Sequence, residues 1–172
     1  MSAKPSYLGL LNAISVAETD AGCYLTEWAK VTPSDDVRAV LNTIALRESE
    51  HGMVFAKRID ELGYCVQPRP DPKQAEKMAI ASSKGLSDKE KFEALGLGKA
   101  PTNGTADVFD TFFENKDLDP VTGGLLGRYV AEERDSGRKL AACYAILRAD
   151  AEKAAKRAAK ANGGKGKKKG KK

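Results

Sequence analysis

Long apolar runs are missing from this sequence, aromatics make up only 6% of it, and histidine and tryptophan occur once each. Without a stretch of about 18 apolar residues, no membrane-spanning helix is expected. Cysteine is scarce too: Cys23, Cys65 and Cys143 lie far apart, and none belongs to a C-x-x-C pair. That spacing excludes a zinc ribbon and a rubredoxin-type iron site. Met1 to Leu11 holds one lysine and no long apolar stretch, so it does not read as a secretory signal. The cytoplasm is therefore the expected compartment, with the three thiols reduced and buried as packing groups. A phosphate-cradling glycine loop and a nucleophile elbow are both absent, which leaves nucleotide, phosphate and glycoside chemistry without support.

What is present favours helix. The 172 residues suit one domain, with 41% hydrophobic and 31% charged content and an abundance of Ala, Leu, Glu and Lys. The net charge of +5 is unevenly divided: Ala151 to Lys172 carries +9, and the rest of the chain carries −4. A mildly acidic helical body over residues 1–161 and a basic, disordered Lys/Gly tail over 162–172 are expected.

Apolar residues recur at helical spacing over three long stretches. The first, from about Ser6 to Lys30, has the stripe Leu8, Leu11, Ser15, Glu18, Gly22 and Leu25. The second runs from Ser34 to Leu62 with the stripe Val37, Leu41, Ile44, Glu48, His51, Phe55, Ile59 and Leu62, closed by Gly63. Pro68, Pro70 and Pro72 then open a long connection. It holds two short helices, one over about Lys73 to Lys84 and one from the capping box Ser87 to Glu90 as far as Leu95. A short third bundle helix is expected over Ala106 to Lys116. The fourth runs from Asp119-Pro120 to about Ala161, with the stripe Leu126, Tyr129, Glu133, Gly137, Leu140, Tyr144 and Leu147.

Sliding the second long segment by 85 residues lays it on the last. Leu41 falls on Leu126, Glu48 on Glu133, Gly52 on Gly137, Phe55 on Leu140, and the cap Ser34 on Asp119. We read a duplicated helical hairpin. The copy is incomplete, because His51 falls on Ser136 and Glu18 on Asn103.

Glu18, Glu48 and His51 stand on apolar stripes, where a lone ionised group costs several kcal/mol unless something neutralises it. Glu48 and His51 are three apart on one helical face, and Glu18 lies mid-helix on the neighbouring antiparallel element. Carboxylates with one imidazole suit iron or manganese. Glu18, a thirty-residue interval and then Arg47-Glu48-Ser49-Glu50-His51 resembles the first hairpin of rubrerythrin-type ferritin-like domains. The resemblance covers about residues 6–64 well and 106–150 more weakly. It implies an all-α four-helix bundle with a long crossover between helices two and three. It also implies bound iron and redox chemistry with oxygen or peroxide.

The family pattern requires a second Glu-x-x-His and a carboxylate on helix three. This chain offers Glu133 with Ser136, and only Asp107, Asp110 or Glu114 as substitutes. One ion held by Glu18, Glu48, His51 and Glu133 is therefore expected rather than two, with Tyr24, Trp28 and Tyr129 as candidate electron carriers nearby. The alternative is a non-catalytic helical scaffold whose polar core is self-satisfied, with the basic tail contacting nucleic acid. A homodimer is compatible with either reading.

Overall fold

Helix caps and apolar periodicity decide where the elements of this chain begin. The computed structural model describes residues 4–69, 71–99 and 109–163. Within them lie α1 (Leu8–Val31), α2 (Asp35–Glu61), α3 (Gln74–Ser82), α4 (Asp88–Ala94), a 3₁₀ turn (Asp110–Phe113) and α5 (Pro120–Gly163), with no strand among the described residues. The described residues form an all-helical structure.

Ser34 opens α2 by accepting the Val37 N–H, and Asp119 does the same for α5 through the N–H groups of Val121 and Thr122. The two positions that coincide in the repeat are thus working N-caps of the same kind. Gly63, at φ 83°, takes the left-handed conformation that ends α2. The capping box at Ser87 and Glu90 starts α4 as expected.

The apolar residues separate into two clusters. One joins Leu25 and Trp28 of α1, Leu41 and Ile44 of α2, Phe92 of α4 and Leu140 of α5. The other joins Leu11 and Ile14 of α1, Phe55 and Ile59 of α2, and Leu126 and Tyr129 of α5. The start of α2 thus shares a cluster with the late part of α5, and the end of α2 with its early part. The pairing is antiparallel. A polar layer containing Glu18, Glu48 and His51 lies between the two clusters.

The α1–α2 pair is unusually close, for a reason visible in two residues. A Cβ on Gly22 would sit 2.4 Å from Ser49 Oγ, and one on Gly52 would sit 2.4 Å from Thr19 Oγ1. Ser15 Oγ also donates to the Gly52 carbonyl at 2.9 Å. Only hydrogen at these two positions lets the backbones approach this far. Both contacts flank the polar layer, so they hold Glu18 against Glu48.

At the other end of α1, Asp88 accepts hydrogen bonds from Trp28 Nε1 at 2.7 Å and Thr32 Oγ1 at 2.6 Å, tying α4 to α1. Lys91 is buried beside them and donates to the Ala81 carbonyl at 2.8 Å.

Three expectations change. The described part of the expected third bundle helix is a single 3₁₀ turn; residues 106–108, Asp107 among them, lie outside the described residues. The α5 helix continues through Asn162 and Gly163, past the boundary set for the tail, whose residues 164–172 are likewise outside. Cys143 is buried, but Cys23 and Cys65 are exposed. Cys23 stands one position off the buried stripe at Gly22, and Cys65 follows the Gly63 turn.

Candidate metal centre

The three long helices each bring part of one cluster. Glu18 comes from α1, Glu48 and His51 from adjacent turns of α2, and Glu133 from α5. One donor atom from each of the four lies within 4.8 Å of the others. Glu18, Glu48 and His51 are 7%, 5% and 4% exposed. All four residues expected from the sequence are thus brought together.

Hydrogen bonding leaves specific atoms bare. Tyr129 donates to Glu18 Oε1 at 2.8 Å, while the buried Glu18 Oε2 has no partner. His51 Nε2 lies 2.7 Å from Glu132 Oε2. Partial burial alone would raise the Glu132 pKa, but hydrogen bonds from His51 and Arg128 outweigh it and lower it. Glu132 is therefore ionised and accepts, so Nε2 carries the proton and donates. Nδ1 is left 3.5 Å from Glu133 Oε1, and both atoms are buried without a hydrogen bond.

Charge repels charge in this layer. Burial, then the neighbouring Glu18 carboxyl and Glu133, push Glu48 up to about 10. Burial likewise raises Glu18, outweighing its hydrogen bonds with Glu48 and Tyr129. Burial opposes a charged imidazole, yet the Glu133 and Glu132 carboxylates prevail and raise His51. Burial and the facing Glu18 carboxylate keep the Tyr129 phenol protonated far above its ordinary range. Tyr24 is pushed up to about 12, by burial and then by Glu48 and Glu18. Without a cation the layer retains protons on acids that would be ionised in water.

Donors bound at 2.0–2.6 Å from a hard cation stand at most about 4 to 5 Å apart across it. The observed spacing lies within reach of such an ion. Three carboxylates and one neutral imidazole are the donors, and bare buried atoms on Glu18, His51 and Glu133 are the kind of valence an ion satisfies. The cluster can hold a metal ion.

The substitutes considered on the third helix do not take part. Asp110 is exposed and paired with Arg134 at 3.4 Å, and Glu114 is exposed. The region where a second histidine would stand is filled differently. Ser136 is fully buried, and Arg47 reaches across to donate to Asp135 at 2.7 Å and Ser136 at 3.3 Å. A guanidinium thus occupies that side of the layer.

Glu132 went unrecognised in the sequence because it stands one position off the α5 stripe. Its signal lay in chemistry rather than periodicity. A ligating histidine needs an acceptor for its other nitrogen, and Glu132 is the acidic neighbour of Glu133. Of the aromatic candidates, Tyr129 touches the cluster, Tyr24 lines the cavity beside it, and Trp28 belongs to the α4 contact.

That cavity has a volume of about 520 Å³ and reaches Glu18, Glu48 and Glu133. No described helix is long and apolar enough to cross a membrane. No protein-family model matches the chain, and neither does any curated protein or solved structure.

Proposed function

We propose that this chain is a ferritin-like protein that binds one ion of iron or manganese through Glu18, Glu48, His51 and Glu133 and acts on oxygen or peroxide. The observation that carries the reading is the set of bare, buried donor atoms on Glu18, His51 and Glu133 within one polar layer. In fold terms, α1, α2 and α5 are three of the bundle helices, with the crossover between α2 and α5. The single ion, rather than a pair, is supported by Arg47, whose positive charge stands beside Ser136 where a second imidazole would be needed.

A bound iron or manganese supplies a redox couple and a coordination position open to an oxidant. The chain's own residues prepare for it. Glu132 holds the Nε2–H and the ring orientation, so that Nδ1, once its proton gives way to the ion, faces the cluster. Tyr129 holds one oxygen of Glu18 and leaves the other. The apolar clusters on either side bury Glu18, Glu48 and His51, which strengthens the attraction of the carboxylates for a cation, and the cavity leaves one side open.

Elemental analysis of protein purified without chelator tests this. About one equivalent of iron or manganese is expected, since the donor set completes one site, and Glu48→Ala is expected to lose it. A folded, metal-free wild type would overturn the reading in favour of a self-satisfied helical scaffold. If metal is found, ferrous oxidation by oxygen and peroxide consumption identify the oxidant.

A further inference from the structure

The cavity beside the carboxylates is far larger than oxygen or peroxide requires. A water molecule occupies about 30 Å³ of liquid, whereas this space is about 520 Å³, in the range that holds small organic molecules. Its existence has a sequence cause. Ala13, Ala17 and Ala21, four apart on α1, present only methyl groups to it. Across from them Gly137 of α5 also lines the space, and a Cβ there would meet nothing within 4 Å.

The two ends differ in chemistry. The inner end is formed by buried Glu18 and Glu48 with Glu133. Asp20, Asp71, Lys77 and the exposed Arg69 also line the cavity, nearer solvent. Lys77 is paired with Asp71 at 2.7 Å. Arg69 has no ion-pair partner among the described residues. An anionic head would be repelled from the glutamate end and drawn to the unpaired guanidinium, which offers the forked geometry that carboxylates accept. The walls between, which include Val16, Leu25, Ile44 and Leu140, suit an aliphatic chain.

We propose that this cavity binds an aliphatic carboxylate, its head group on Arg69 and its chain running between α1 and α5 toward the Glu18–Glu48–Glu133 end. The assignment deepens the metal-centre reading and rests on it for what the chain end meets, while binding itself does not require the ion.

Calorimetric titration of the full chain with butyrate, hexanoate and octanoate provides the test, on metal-free and on manganese-loaded protein with metal content measured alongside. Affinity is expected to rise about fourfold per added methylene, the factor for burying one such group, until the cavity is full. Arg69→Glu is expected to weaken octanoate at least tenfold and leave octanol unchanged. Gly137→Leu narrows the space with a better helix former, so the variant keeps its fold, and it is expected to weaken octanoate at least tenfold while retaining metal. Octanoate affinity indifferent to chain length, or unchanged in Gly137→Leu, would overturn the proposal, as would no octanoate binding to metal-loaded protein. Octanoate binding to a protein that takes up no metal would leave the cavity assignment standing and remove the metal reading alone.

Discussion

The two segments that coincide at an offset of 85 residues share a sequence pattern and differ in structure. In the first, Gly52 lies against Thr19, with its flanking helix in place, and both Glu48 and His51 are buried. In the second, Gly137 faces open space, Ser136 replaces the imidazole, and Tyr144, which corresponds to the buried Ile59, is only half-buried. Where a glycine matches in sequence, its role need not match. At Gly52 hydrogen is required so that two helices can touch; at Gly137 it leaves room for a cavity. In the proposed site the first half supplies three ligands, and the second one ligand, one orienting carboxylate and a way in.

The largest expected effect comes from removing a ligand of the intact half. Glu48→Gln should lower metal affinity by about a hundredfold or more, beyond the range for outer-shell partners, with the helical fold retained by circular dichroism. Undiminished uptake would show that the first half is not the metal half. Glu132→Ala, in the other half, should cost about 10- to 100-fold in affinity through loss of the His51 orientation, measured by competition with a chelator.

The glycine comparison can be sharpened directly. Gly52→Ala drives a methyl into Thr19 and is expected to cost about 1–3 kcal/mol by overpacking. Gly137→Ala meets nothing, and the gain in helix propensity is expected to stabilise by about 0.5–1 kcal/mol. Urea unfolding of both variants decides. Equal effects would erase the distinction between the halves.

A smaller effect concerns pH. In the metal-free fold Glu48 and His51 both bind protons more tightly than in the unfolded chain. The folded state therefore holds more protons, and stability falls as pH rises. The Glu48 contribution is complete below its ordinary value of 4.5 and is lost on the way to about 10. Metal-free wild type should thus lose stability relative to Glu48→Gln from roughly pH 5 to pH 9, and metal uptake should strengthen over the same range as protons leave the donors. A flat difference between the two proteins would contradict the burial of Glu48. The tail lies apart from all of this: removing residues after Ala161 should leave metal content unchanged and weaken retention of DNA at low salt only, as a counterion-release contact requires.

Much of this architecture was legible in the sequence, for reasons tied to particular residues. The stripe from Leu8 to Leu25 is buried throughout, as is that from Val37 to Ile59, because each of these two helices is packed along its whole length. Ser34 and the Ser87 box mark helix starts through side-chain hydrogen bonds that depend only on neighbours in the chain. Glu18, Glu48, His51 and Glu133 stood out because charge on an apolar stripe is costly. Of the helix expected over Ala106 to Lys116, the described residues form a single 3₁₀ turn, since a few aromatics on one side do not supply the caps and length a helix needs. Glu132 and Arg47 were illegible for another reason. Each lies off the stripe of its own helix, and its partner is more than eighty residues away.

In the proposed centre His51 Nδ1 and the three glutamates share one ion. Pulsed electron paramagnetic resonance of manganese-loaded protein addresses it most directly, because this chain has a single histidine. We expect coupling to one imidazole nitrogen, absent in His51→Ala. A manganese signal without nitrogen coupling, identical in wild type and variant, would contradict the account.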